Sequence, residues 1–286
     1  MANKVYMATI PHSGITKRAF FKMIRDFDIH KWTYAVEKGR GGYKHIQCRF
    51  RTNKSFDQIK NALILGHIEE GSDTWEYEKK DGKYMTGDDN HEILKLRFGK
   101  LTKVQKWALD TLETTNDREV VVWVDSEGNS GKTWLTAHLW EIGKACYCPP
   151  TLSTPKELIS WVHSAYNKEP YIIIDIPRTW KWDEALYTAI ETIKDGLVYD
   201  PRYSAHMRNI RGVKVMCMTN TMPKLSKLSE DRWVIFRPEH MFDLAEVRNR
   251  GGHPPVGSGG CNRPNHPPHR YVPLSGRQGQ GRGPLT

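Results

Sequence analysis

Apolar and polar residues alternate through VYMATI (5–10), which reads as a β-strand, and TKRAFFKMIRDF (16–27) shifts to apolar positions at helical spacing. WTYAVE (32–37) and YKHIQCRF (43–50) are two more strands, joined by the basic, glycine-rich turn KGRGG. In the second of them His45 and Gln47 share one face, while Ile46, Cys48 and Phe50 take the other. Ser55 and Gln58 form a capping box that opens the helix FDQIKNALIL. Ser72 or Asp73 is expected to cap a short helix carrying TWEYEKK, after which DG turns the chain into KYMTG. These elements predict an α+β unit over residues 1–90, an antiparallel sheet covered by helices.

Residues 88–100 read as a connector, and VQKWALDTLETT as a helix within a linking and oligomerising segment, 91–117. From Arg118 the pattern becomes α/β. The strand EVVVWV leads into DSEGNSGKTW and a helix, then the strand YIIID (171–175), a helix over about 183–194, and the strand VKVMCMTN (213–220). Such alternation predicts a parallel sheet over 118–245 with its working loops at the carboxyl ends of the strands. Beyond Asn249 the chain is mostly Gly, Pro, Arg, His and Asn, so 246–286 is expected to be a disordered basic tail.

Composition narrows the partners. Lys and Arg number 43 against 33 Asp and Glu, a net charge of +10. That field attracts polyanions, nucleic acid first. Ten tryptophans and twelve tyrosines interleave with the basic residues, as base stacking on single strands requires. No apolar run reaches the ~18 residues of a membrane span, and no secretory leader is evident, so no membrane partner is expected. Five scattered cysteines fit an intracellular, reducing compartment, and Cys146 and Cys148 are too closely spaced for a zinc half-site.

Gly128, Asn129, Ser130, Gly131, Lys132 and Thr133 lie between a hydrophobic strand and a helix. Glycines let backbone N–H groups wrap phosphates, Lys132 would reach the β- and γ-phosphates, and Thr133 would hold Mg²⁺. The phosphate-loop pattern wants glycine where Ser126 stands. Asp175 ends a strand where a second Mg²⁺-binding carboxylate belongs. Ile176 follows where a water-positioning acid often sits, which leaves the activating base open. Asn220 suits γ-phosphate sensing, and Arg232, or alternatively Arg237, an arginine finger acting across a subunit interface. Arg202, His206, Arg208 and Arg211 form a basic loop able to grip a nucleic-acid backbone.

In the first half, Glu37 ends the strand paired with that of His45 and Gln47. Carboxylate, imidazole and amide together suit a hard divalent ion, Mn²⁺ more comfortably than Mg²⁺. Tyr77 and Lys80 fall three apart. A phenol with an ordinary pKa near ~10 needs a cation or a polarised electrophile to attack a phosphodiester. Tyr84 is a competing nucleophile without a matching lysine.

The order MATIP, HIQ, YEKK, GNSGKT, IIID, MTN resembles the replication-associated proteins of circular single-stranded DNA viruses over residues 4–240, with YEKKDGKY and DSEGNSGKT most similar to those of smacoviruses. The resemblance implies an HUH-type endonuclease joined to a superfamily 3 helicase, a P-loop ATPase of AAA+-like fold. It makes Tyr77 the nicking nucleophile that becomes a 5′-phosphotyrosine, Lys80 its companion lysine, and His45, Gln47 and Glu37 ligands of Mn²⁺ or Mg²⁺. ATP with Mg²⁺ is implied at the second site. The implied partners are single-stranded DNA, a stem-loop origin, host polymerase and copies of the chain in a hexamer, inside the cell and in the nucleus of a eukaryotic host. An origin-binding protein that no longer nicks would not need the Tyr77, Lys80 and His45, Gln47 pairs. An RNA helicase would leave Tyr77 unexplained.

Overall fold

In the computed structural model, which describes residues 3–152, 154–200 and 206–239, the chain forms two five-stranded sheets and a small hairpin. The expected tail lies outside the described residues, as does Arg202. The first half runs β1 (Lys4–Pro11), α1 (Lys17–Asp26), β2 (Trp32–Lys38), β3 (Lys44–Thr52), α2 (Phe56–Ala62), β4 (His67–Glu70) and β5 (Tyr84–Thr86). Its strands are antiparallel in the order β4-β1-β3-β2-β5. Tyr6, Ala8 and Ile10 of β1 and Ile46, Cys48 and Phe50 of β3 turn to one face. There they bury against Phe20 and Ile24 of α1 and Ile59 of α2. The alternate positions of β3 therefore face the other side, free to carry chemistry. The Ser55–Gln58 capping box is present, although α2 stops at Ala62.

The second half contributes α3 (His91–Arg97), α4 (Lys103–Thr114), β6 (Val120–Val124), α5 (Lys132–Glu141), β7 (Ala145–Cys148), α6 (Pro155–Ala165), β8 (Tyr171–Asp175) and α7 (Glu184–Asp195). The hairpin β9 (Leu197–Tyr199) and β10 (Met207–Asn209) follows, then β11 (Lys214–Thr219) and β12 (Trp233–Phe236). The larger strands form a parallel sheet in the order β12-β6-β11-β8-β7. VVVWV and YIIID are nearly continuous apolar runs because both faces of this sheet are covered. The carboxyl ends of β6, β8 and β11 meet along one edge.

Three expectations need correction. The helix expected over TWEYEKK is a single 3₁₀ turn, Tyr77–Lys79. Its would-be caps are engaged elsewhere: Asp73 accepts from Arg51 and from the Trp75 indole at 2.7 Å, and the Ser72 hydroxyl lies 2.7 Å from that of Thr74. The connector 88–100 contains α3, whose first turn is capped by Asn90 accepting from Ile93 N–H. The pattern also passed over β7, α6 and β12, the strands being too short to show a period.

Candidate active sites

Strand register assembles the first site. Glu37 lies directly across from His45, with Gln47 two residues along the same strand face. His45 Nε2 is 3.5 Å from Glu37 Oε2, and Lys80 Nζ is 2.7 Å from the same oxygen. The other oxygen, Glu37 Oε1, is buried and has no hydrogen-bond partner. Gln47 Oε1 accepts from the Thr9 hydroxyl at 2.7 Å, which orients the amide. A buried carboxylate oxygen left unpaired beside an imidazole and an amide oxygen is a donor set that fits a divalent cation. Among the described residues no three His, Cys, Asp or Glu side chains cluster in this way, and the set reaches three donors only through Gln47.

Tyr77 is 55% exposed, and Lys80 Nζ sits 3.8 Å from the centre of its ring. Burial works to lower the Lys80 ammonium, but hydrogen bonds and charge from Glu37 and Tyr77 outweigh it and hold its pKa above the ordinary lysine value. Lys80 is thus a fixed cation between the carboxylate and the phenol. Tyr84 is otherwise placed. It is half-buried, its hydroxyl 3.4 Å from Glu141 and the Arg97 guanidinium 3.8 Å from its ring, and burial foremost raises its pKa. It belongs to the junction between the halves.

The turn carrying Tyr77 is anchored by a pair that sequence reading passed over. Arg49, two residues beyond Gln47 on the same face of β3, donates through Nε to both oxygens of Glu78 at 3.0 and 3.1 Å. Arg49 Nη1 also donates to the Ser72 carbonyl at 2.6 Å, and both side chains are almost wholly buried. One strand face therefore holds the metal-type donors and the clamp on the nucleophile's neighbour. Polar side chains at alternate positions, His45, Gln47, Arg49, were the available signal.

The second site forms at the parallel strand ends. Gly128, Asn129 and Gly131 adopt φ of 90°, 64° and 87°, the left-handed geometry that curls the loop. Inside it lies Asp125, whose carboxylate accepts from Gly128 N–H at 2.8 Å, Ser130 Oγ at 2.5 Å and Lys132 Nζ at 3.0 Å. Burial pushes this carboxyl up, yet those donors prevail and hold its pKa down to about 2. Asn220 Nδ2 donates to the Asp125 carbonyl at 2.5 Å. Asp175, on the next strand but one, accepts from the Tyr147 hydroxyl at 3.3 Å, and burial chiefly raises it. Thr133 is exposed in the first turn of α5. Lys132, Thr133, Asp175 and Asn220 are thereby gathered at one edge of the parallel sheet.

Gln105 of α4 braces the loop by donating to Gly131 O at 2.9 Å, and a Cβ on Gly131 would lie 2.7 Å from that amide nitrogen. The Ser126 carbonyl accepts from Arg178 at 3.4 Å, a cation that sequence reading did not single out. Ile176 is buried and outside the site.

Arg232 is a correction. It is buried, with Nη1 2.9 Å from Asp195 and Nη2 3.1 Å from Glu191, both on α7. Its donors tie the 3₁₀ turn before β12, Glu230–Arg232, to that helix and are not offered to another subunit. Arg237 is half-buried, its Nη2 3.4 Å from the Met222 sulfur. The basic loop includes the β9–β10 hairpin. His206 is exposed there, but Arg208 donates to the His163 carbonyl at 2.6 Å and so works as a structural tie, contrary to its reading as a free phosphate contact. Arg211 is exposed and donates through Nε to the Asp195 carbonyl at 3.3 Å.

The chain is similar to the master replication protein of banana bunchy top virus, 33% identical over 113 residues, 39% of this chain and 37% of that protein. It is 27% identical to that of subterranean clover stunt virus over 163 residues, 52% and 54% of the two chains. With that of milk vetch dwarf virus it shares 27% identity over 190 residues, 66% and 64% of the two. The matches thus span less than two thirds of each of these relatives. No family model matches the chain. A solved aldolase from Thermotoga maritima aligns with a TM-score of 0.18 at 9% identity, covering 87% of this chain and 97% of its own, a likeness too slight to bear on the fold.

Proposed function

The chain belongs with the replication proteins of circular single-stranded DNA viruses, and from that premise we propose that it initiates rolling-circle replication by nicking single-stranded origin DNA through Tyr77. The observation that carries this reading is the exposed Tyr77 phenol, with Lys80 over its ring, beside a buried carboxylate oxygen that has no partner. Glu37, His45 and Gln47 would hold Mn²⁺ or Mg²⁺, which when bound would polarise the scissile phosphodiester.

Lys80 would place positive charge beside the negative charge that develops on the phenol oxygen as it attacks and its proton passes to water. A Tyr77 Oη–P bond forms, the P–O3′ bond breaks, and the departing oxygen takes a proton to become a free 3′-OH. The product is a 5′-phosphotyrosine, which a second transesterification can release as a closed circle. Arg49 and Glu78 hold the turn that bears Tyr77.

The second half is proposed as an ATPase of the superfamily 3 helicase type that unwinds DNA. Lys132 and Asn220 would engage the phosphates, Thr133 and Asp175 the Mg²⁺, and Arg178 would join them as a nearby cation. A homo-hexamer, use of host polymerase, placement inside the host cell and in a eukaryotic host's nucleus, and a smacovirus-like lineage complete the proposal. No helix among the described residues is long and apolar enough to cross a membrane.

The test is a labelled single-stranded origin loop incubated with the protein and Mn²⁺. A covalent protein–DNA adduct should form and vanish in Tyr77→Phe. An adduct that persists in that variant moves the nucleophile elsewhere. No adduct with the wild type favours an origin-binding protein without nicking activity.

A further inference from the structure

Between the Tyr77 turn and the end of α5 lies a cleft of about 500 Å³. That volume lies in the range of small-ligand sites. One wall carries Lys79, Lys80 and Tyr84; the other carries Trp140, the Ile142–Gly143 turn and Asn167. Trp140 is 60% exposed although tryptophan is among the most costly side chains to leave in water. It packs on no other ring among the described aromatic pairs, whereas the nearby Trp134 stacks on His138. The lysines are beside the nicking site: Lys80 lies over the Tyr77 ring, and Lys79 is 5.9 Å from the centre of the Tyr84 ring.

The carboxylates in the cleft are already paired. Glu141 accepts from Arg97 at 2.7 Å, and Glu76 from Lys79 at 2.9 Å. The walls are also held together. Gly82, two residues past Lys80, approaches Ile142 so closely that a Cβ there would lie 2.8 Å from the Ile142 carbonyl oxygen. The cleft is therefore preformed, open to solvent on one side and continuous with the Tyr77 site through Lys80.

We propose that this cleft binds an unpaired nucleotide of the single strand flanking the nick, with its base stacked on Trp140 and its phosphate beside Lys79 and Lys80. The assignment rests on the nicking function proposed above and extends it to the second half of the chain. A single strand is the occupant because an exposed indole needs a base with a free π-face, which a duplex withholds. Such stacking tolerates any base, so this subsite lends reach along the strand without adding sequence preference.

The experiment compares labelled oligonucleotides by fluorescence anisotropy in the full chain carrying Tyr77→Phe, so that no nicking intervenes. One oligonucleotide ends at the nick site, and two others extend it by about four nucleotides on the 5′ or the 3′ side, a length that one such site can span. One extension should bind more tightly than the short form, and Trp140→Ala should remove that gain, about tenfold, or about 1.4 kcal/mol. Trp140→Phe should restore most of it, and Lys79→Ala should lower it and weaken its salt dependence. Equal binding of all three oligonucleotides, or a gain that survives Trp140→Ala, overturns the cleft assignment. Adduct formation by the Tyr77 protein is scored separately. Its absence alongside a Trp140-dependent gain would sink nicking and leave the cleft standing.

Discussion

At the scale of single residues, the first site is a matter of where charge is held. Arg49 and Glu78 do not touch a substrate position, yet they fix the turn that begins at Tyr77. Removing one partner of a buried pair strands the other, and an error of about 1 Å in a reacting group can cost ~100-fold in rate. Glu78→Gln is expected to slow adduct formation by about 10- to 100-fold, while single-strand affinity changes less than about twofold and ATP hydrolysis is retained. A variant that loses affinity and rate equally would mean that Glu78 supports binding in general. Asp125 yields a second prediction. Its carboxylate takes donors that a phosphate would use, so Asp125→Asn should tighten ATP binding several-fold by calorimetric titration. With its pKa held down to about 2, the ion pair with Lys132 is fully present at neutral pH and is lost only as pH falls through that value. The effect of Asp125 on affinity should therefore not vary with pH between about 5 and 9, and an inflection removed by Asp125→Asn would contradict this. Period-two patterning made Glu37, His45 and Gln47 readable in the sequence. Asp125 and Arg232 were not, because their roles depend on what folds back on them: a loop in one case, Glu191 and Asp195 of α7 in the other.

At the scale of elements, the long periodic segments were legible and the short ones were not. β2, β3, β6, β8 and β11 announce themselves by alternation or unbroken apolar runs, and α4 and α7 by spacing and caps. β7 has four residues, ACYC, and its strand character comes from pairing with β8, a tertiary fact. The turn at Tyr77 departs from its expected helix for a similar reason, since the Asp73 side chain that would cap it bonds to Arg51 of β3. α7 ends with an anomaly that can be measured. Lys194 is buried and donates to the Val213 carbonyl at 3.1 Å, and burial, with Lys214 nearby, lowers its pKa to about 8. The unfolded chain binds this proton up to its ordinary value near 10.5, so between about pH 8 and 10.5 the unfolded state holds more protons. Stability from this residue therefore rises with pH across that window. Lys194→Met removes the cost of charging a buried ammonium and is expected to stabilise the parallel-sheet half at pH 7, on the order of 2 kcal/mol. In urea unfolding, the difference between variant and wild type should shrink as pH rises from 8 to 10. A difference that stays constant would show that the Lys194 ammonium carries no such penalty.

At the scale of the whole molecule, the two halves are joined by a buried polar knot. Arg97 of α3 donates to Asp89 at 2.5 and 2.8 Å on one side and to Glu141 of α5 at 2.7 and 2.9 Å on another, and takes the Tyr84 carbonyl as well. His138 of α5 contacts the Leu96 carbonyl at 2.7 Å, and Gly82 rests on Ile142. α5 starts at Lys132 in the phosphate loop and ends at this knot, about 15 Å away along a ten-residue helix. Were nucleotide to bind and shift the loop, this helix would carry the displacement to the turn after Tyr77 and Lys80. Sequence reading took this stretch for a connector, because a knot made of Asp89, Arg97 and Glu141 has no period and Arg97 and Glu141 alone lie 44 residues apart. Arg97→Leu tests the connection. It leaves two carboxylates in a half-buried junction without their cation, a loss of roughly 3–5 kcal/mol for a buried pair. Calorimetric unfolding should then resolve two transitions, one for each sheet, and protease should cut between about residues 88 and 102 sooner than in the wild type. ATP should accelerate or slow Tyr77 adduct formation in the wild type and cease to do so in Arg97→Leu. If the variant unfolds in step with the wild type and keeps the same response to ATP, the junction is only a point of contact, and the halves communicate by another route or not at all.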